Sequence, residues 1–266
     1  MDSIVREFQQ LTSSSNKVAR KYLSGNDWNL NYALNEFYDQ ELGGFVHDVP
    51  REYPAELIEL FERYNNQKYV DGSSGNEEDV GIDADGLIQF IEDLGYELED
   101  LTTLCLANVM GCNNLTDCIT RNQFLEAWYN KKCSNIKDIK DELETVGENL
   151  RSDINYFTYI YNYSFGLITE ENMKSIQIDT AKEYWKLFFG DGTPLHIEKE
   201  QLDNWNKFLT ISGKKTITKD EWKMILEFFK KFPTVTEFKD EYDPMDPWPY
   251  IMDEYHEYLE ENGKLN

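Results

Sequence analysis

Along most of this chain apolar residues recur three or four positions apart, the spacing that turns one face of a helix toward a core. Near the N-terminus three segments show it: Ile4–Leu11, Val18–Leu23 and Trp28 to Tyr38. Ser13-Ser14-Ser15 and Gly25-Asn26-Asp27 separate them, and Asp27 suits the N-cap of the third. Residues 1–45 therefore read as a compact three-helix unit. The stretch Gly43–Pro50 has Gly and Pro without periodicity and marks a boundary, with a linker at 46–52. Tyr53 opens a second domain, 53–266, in which Pro54 suits a first helical turn and Leu57, Leu60, Phe61 and Tyr64 form one apolar face. The pattern then predicts helices at about 85–94, 99–110, 121–131, 135–146, 152–168, 179–189, 198–211, 219–231 and 249–261. Strands find little support, so the fold class is all-α, a small bundle followed by a larger helical domain.

Charge narrows the partners. Against 26 Lys and Arg stand 51 Asp and Glu, a net charge of −25, which makes nucleic acid and anionic membranes poor partners and basic protein surfaces good ones. The competing reading is that the acids only keep the chain soluble. From Asp71 to Asp100 there are eleven acids and no Lys or Arg, and the Gly/Ser/Asn-rich part, Asp71–Gly81, reads as a loop. With 40% hydrophobic and 14% aromatic residues, the chain has ample material for packed cores. No apolar run approaches the roughly 18 residues that span a bilayer. No basic-then-apolar leader is present, so cytoplasmic and/or nuclear residence is expected.

Candidate chemistry is sparse. Cys105, Cys112, Cys118 and Cys133 are spaced by 7, 6 and 15 positions with no CxxC pair or neighbouring His, so they read as free thiols rather than zinc ligands. Gly81–Glu92 fits a calcium-binding EF-hand loop at positions 3, 5, 6, 8 and 12, but position 1 is Gly81, which supplies no carboxylate. A metal-free helix-loop-helix and a calcium-regulated binding protein both remain open on these residues. His47, His196 and His256 have no evident nucleophile beside them, and no phosphate-cradling Gly loop appears. No cofactor is expected. Thr218-Lys219-Asp220-Glu221 reads as a capping box, placing Asp220 in the first turn of a helix carrying Trp222, Ile225 and Phe229. Pro247-Trp248-Pro249 leads into a helix with Ile251, Tyr255 and Leu259 buried and Asp253 facing away. Acids in first turns also complement the helix dipole, so they do not by themselves define a site.

Longer matches give these residues meaning. Ala19-Arg20-Lys21-Tyr22-Leu23 and Trp28–Tyr38 resemble a ubiquitin-associated (UBA) domain. The remainder resembles the potentiating-neddylation domain of the defective-in-cullin-neddylation family, with its EF-hand-like units, in Leu94-Gly95-Tyr96-Glu97 with Leu101 and Leu104, Tyr184–Leu187, Trp205–Leu209, Thr218–Trp222 and Trp248–Glu254. The order of the two domains is similar to that of the fungal members.

The resemblance implies a non-catalytic scaffold-type ligase for neddylation, a monomer that holds a cullin and the modifier's conjugating enzyme together. It implies that Asp220 and Asp253 meet basic residues of the cullin's C-terminal region. The middle position of that Asp-Ala-Asp patch is here Pro247, a departure that can alter the approach. A pocket for the acetylated N-terminal methionine of the conjugating enzyme would be lined by Leu98, Leu106, Ala107 and Met110, with Tyr163 and Phe165. Weak ubiquitin binding would involve Leu11, Thr12, Leu34 and Phe37, because Leu11–Ser15 lacks the Met-Gly-aromatic loop of stronger binders.

Overall fold

A computed structural model describes residues 2–12, 14–25, 28, 30, 33, 37, 52–65, 81–114, 118–170 and 173–265. Asp27, Leu34, linker positions 46–51 and the loop 71–80 lie outside the described residues. The chain forms two compact units, Met1–Glu52 and Tyr53–Asn266. Among the described residues no helix is long and apolar enough to cross a membrane.

In the first unit, α1 (Asp2–Thr12) and α2 (Asn16–Gly25) pack together, and Leu30, Ala33 and Phe37 are helical. The core is Val5, Phe8, Ala19, Tyr22, Leu23, Ala33 and Phe37. So small a bundle has few large side chains to bury, and it uses its aromatics: the Phe37 ring meets Phe8 edge-on at 5.4 Å and Tyr22 at 5.3 Å.

The second unit is built from paired helix–loop–strand–helix elements. In the first pair, α3 (Ala55–Tyr64), β1 (Gly81–Ile82) and α4 (Ala84–Leu94) face α5 (Leu101–Val109), β2 (Ile119–Thr120) and α6 (Arg121–Asn130). The strands pair antiparallel, Gly81 opposite Thr120 and Ile82 opposite Ile119. Then α7 (Ile136–Ser152) leads to the second pair: α8 (Ile154–Ile168), β3 (Ser175–Gln177) and α9 (Ile178–Phe188), against α10 (Lys199–Ile211), β4 (Thr216–Thr218) and α11 (Lys219–Lys231). Here Ser175, Ile176 and Gln177 oppose Thr218, Ile217 and Thr216. Two short elements, α12 (Val235–Glu241) and α13 (Tyr250–Glu261), close the chain.

These ladders are the main departure from the pattern-based reading. Two or three residues cannot display alternation, yet each ladder seats one Ile per strand in the core: Ile82 with Ile119, and Ile176 with Ile217. The helix expected at 135–146 runs on to Ser152, through a buried Gly147 whose added Cβ would meet Thr102 and Arg151 at 3.3 Å. The seven-residue α12 was not anticipated, although its Thr234–Glu237 capping box was readable. Helix α3 starts at Ala55, with Pro54 in the N-cap position.

The Gly81–Glu92 segment starts a helix. The Asp83 carboxylate accepts the Gly86 N–H at 2.9 Å as the N-cap of α4, and a Cβ at position 81 would lie 2.7 Å from the Ile119 carbonyl oxygen. Strand pairing thus excludes a side chain where a calcium loop puts its first carboxylate. Among the described residues no three His, Cys, Asp or Glu side chains converge as a metal site.

Two cores fill this unit. One gathers α3, α4, α6 and part of α7 around Phe61, Phe90, Phe124 and Trp128. The other joins α8 to α13 around Trp185, Trp205, Trp222 and Phe229. At its centre Tyr161 stacks on Trp222 at 4.6 Å. The Tyr161 hydroxyl donates to the Trp222 carbonyl (2.8 Å) and accepts from Trp185 Nε1–H (2.9 Å), while Trp222 Nε1–H donates to the Tyr161 carbonyl (2.9 Å). Tyr161→Phe keeps the stack but leaves the buried Trp185 N–H unpaired and the Trp222 carbonyl with its helical partner alone. It should lower unfolding stability by about 1–3 kcal/mol, seen as a fall in the urea midpoint at unchanged m-value.

Candidate functional site

Helix α5 lies between the two cores, and its apolar residues are not confined to one face. Leu104 and Cys105 face one core, and Leu106 faces the other. Asp100 starts it by accepting the Thr102 N–H at 2.8 Å. Where its exposed flank meets α4, β2 and α9 the side chains do not close, leaving a cavity of about 400 Å³. Leu98, Leu106, Ala107 and Met110 all line it, so four of the six residues expected there are brought together. Leu87, Ile88 and Ile91 of α4 form another wall, and Tyr184 and Leu187 of α9 a further one. Glu99, Asp100 and Glu183 stand at its edge. The signal for the α4 wall was present in the sequence: Leu87 and Ile88 lie beside the buried Phe90–Ile91–Leu94 stripe and make that helix more apolar than a single core face needs.

The other two residues lie elsewhere. The Tyr163 hydroxyl donates to the Cys112 carbonyl at 2.6 Å, so it fastens a segment of the cavity wall from behind. Phe165 packs on Trp222 and lines a separate open groove with Met173, Lys174 and Lys219. The two sit on different faces of α8 from one another, and neither reaches the cavity.

The acidic residues are set by α11 and α13. The Thr218–Glu221 capping box is formed, and Asp220 is exposed in the first turn of α11. Lys214 Nζ reaches Glu221 at 2.5 Å. Burial alone would raise the Glu221 carboxyl, but hydrogen bonds from Lys214 and Thr218 and the Lys214 charge outweigh it, so Glu221 titrates below the ordinary carboxylate value. At the other end of α11, Lys231 pairs with Asp246 at 3.2 Å and lies over the Phe232 and Trp248 rings. Pro247 is exposed on the corner so anchored. Asp253, in the first turn of α13, is half-buried rather than turned fully outward, because it accepts a hydrogen bond from the Tyr242 hydroxyl at 2.5 Å. Asp220 and Lys231 are eleven residues apart, roughly 16 Å along the helix. Pro247 and Asp253 therefore gather near one end of α11 and Asp220 marks the other. Between Glu237 and Glu257 there are eight acids and one lysine, and Met245 among them is 90% exposed.

Of the residues expected to face ubiquitin, the Thr12 hydroxyl bonds back to the Phe8 carbonyl at 2.7 Å, and Phe37 is 8% exposed and belongs to the bundle core. Leu11 is in α1, and Leu34 is outside the described residues. The thiols offer no activated nucleophile in the cores: burial pushes Cys105 up to about 12 and Cys133 up to about 11.

Comparison with known proteins fits this geometry. A "Cullin binding" family model matches residues 138–258, and a "UBA-like domain" model matches residues 2–43. The chain is similar to "Defective in cullin neddylation protein 1" of Saccharomyces cerevisiae, 43% identical with 97% of this chain and 93% of the relative covered. The protein of that name from Candida glabrata is 44% identical, with 98% and 97% covered. The chain belongs to the defective-in-cullin-neddylation family. "DCN1-like protein 2" of Dictyostelium discoideum is a more distant relative, 28% identical over 71% of this chain and 67% of its own length. The residues matched by the "Cullin binding" model include Asp220, Pro247 and Asp253 and the α9 wall of the cavity, whereas the α4 and α5 walls precede them in the chain.

Because the Glu221 pKa is depressed in the folded state, its contribution is present above the unfolded carboxylate value and is lost as pH falls through the folded one. Glu221→Gln should therefore destabilise the protein by about 1 kcal/mol at pH 7, and the gap to wild type should shrink as pH is lowered into the acid range. Thermal melts across pH 3–7, as an approximate range set by carboxylate titration, would check it.

Proposed function

We propose that this protein is a scaffold-type ligase for neddylation, binding a cullin and the conjugating enzyme of the ubiquitin-like modifier at the same time. The observation that carries the reading is that one compact unit of a cullin-neddylation family member has both an apolar cavity beside α5 and an acidic surface on α11 and α13. Holding two partners in one geometry raises their effective concentration and aligns the reacting atoms, so transfer is accelerated with no bond made to this chain.

In this reading Asp220, Pro247 and Asp253 receive the basic C-terminal region of the cullin, the chain's net charge of −25 adding long-range attraction. Leu98, Leu106, Ala107 and Met110 take up the acetylated N-terminal methionine of the conjugating enzyme. A free ammonium entering such apolar walls would lose several kcal/mol of hydration, whereas a neutral acetamide enters and still forms hydrogen bonds. The acids at the cavity edge suit basic residues following that methionine. The N-terminal unit is assigned weak ubiquitin binding through Leu11, Thr12 and Leu34, with Phe37 supporting that surface from the core. The reading treats the chain as a monomer without a nucleophile of its own.

Single-turnover transfer of the modifier from charged conjugating enzyme to a cullin C-terminal fragment tests this directly. Wild type should accelerate transfer, and Asp220→Ala/Asp253→Ala should lower the gain about tenfold, equivalent to roughly 1.4 kcal/mol of docking energy. Conjugating enzyme lacking the acetyl group should lose a comparable share. A wild type that gives no acceleration with acetylated enzyme would overturn the reading.

A further inference from the structure

We propose that Tyr242 is a positioning residue for cullin recognition, its hydroxyl holding the Asp253 carboxylate in the orientation that accepts a basic side chain. This rests on the reading above, in which Asp253 receives the cullin.

The case begins with what the hydroxyl is not needed for. The Tyr242 ring is packed by three aromatic neighbours: Phe238 at 4.6 Å, Phe232 at 5.9 Å, and His256, which stacks on it at 5.2 Å. A phenylalanine would make the same contacts. The hydroxyl has one partner among the described residues, Asp253 Oδ1 at 2.5 Å. Backbone structure aims it there: α12 ends at Glu241, and Tyr242 is its C-cap, with its N–H on the Phe238 carbonyl at 3.1 Å.

On the other side of the bond, Asp253 sits in the first turn of α13, half-buried, and Oδ2 makes no hydrogen bond among the described residues. One carboxylate oxygen is therefore tied to the protein and the other is left for a partner. A charge-assisted O–H···O bond of this length is strong, and the phenol remains a donor, since burial, the hydrogen bond and the nearby Asp253 and Asp246 charges all push its ionisation upward. With the carboxylate fixed before binding, association does not have to immobilise it, which is the usual route by which preorganisation raises affinity. Among the described residues Asp220 has no such support. It is exposed at the far end of α11, and its orientation is independent of Tyr242.

The test is a pair of mutant cycles on the full chain, read by calorimetric titration with a cullin C-terminal fragment. Tyr242→Phe should weaken binding about three- to tenfold. It should do so equally in an Asp220→Ala background, and have no effect in an Asp253→Ala background. A merely structural role would lower the melting temperature and weaken binding in all three backgrounds alike, and that outcome would overturn the proposal. Retention of wild-type affinity by Tyr242→Phe, while Asp253→Ala loses it, would overturn the proposal and leave the docking reading intact. If Asp253→Ala itself binds as wild type, the docking reading of Asp253 fails, and the role of Tyr242 with it.

Discussion

The burial of α5 on two opposite sides is the constraint on which the larger unit depends. A nine-residue helix whose apolar residues are spread around its circumference buries more than one side. One core takes Leu104 and Cys105 and the other takes Leu106, so the two halves of the unit are joined by packing through this helix rather than by a hinge. A helix packed on two sides still has a third, and α4, β2 and α9 approach it without closing over Ala107 and Met110. The cavity is thus a by-product of the geometry that joins the cores. Most of its walls belong to helices α4, α5 and α9, so its shape is set by the packing of those helices.

The acidic surface has a different physical basis. The corner that carries Pro247 and Asp253 rests on a dense aromatic layer: Phe228, Phe232, Phe238 and Trp248 pack edge to face or tilted with centroids 5.1–5.9 Å apart. Lys231 bridges this layer to Asp246, so one of the few cations nearby is spent on fixing the corner and does not neutralise its outward face. Exposed ion pairs contribute only about 0.2–1 kcal/mol each. Such a surface gains more from holding its charges in register than from adding to their number.

The features legible in the sequence were local. The Thr218–Glu221 capping box and the helical stripes each depend on residues within a turn or two of one another, and they are formed in the structure. The short ladders escaped notice because pairing partners lie about 40 positions apart and each strand is too brief to alternate. Phe165 and Tyr163 were assigned to the cavity from an aromatic run, but a shift of two residues on a helix turns a side chain by about 200°. One reaches the Cys112 carbonyl and the other reaches Trp222.

By itself the sequence determined the helical class, the acidic character and the family, because periodicity, charge and ordered motifs are properties of neighbours along a chain. Only the tertiary structure decided that α4 and α9 complete the apolar wall on α5, that Gly81 is bare because a carbonyl approaches it, and that Tyr242 holds Asp253. Those facts rest on contacts between distant segments, and their distances are set by how the two cores pack.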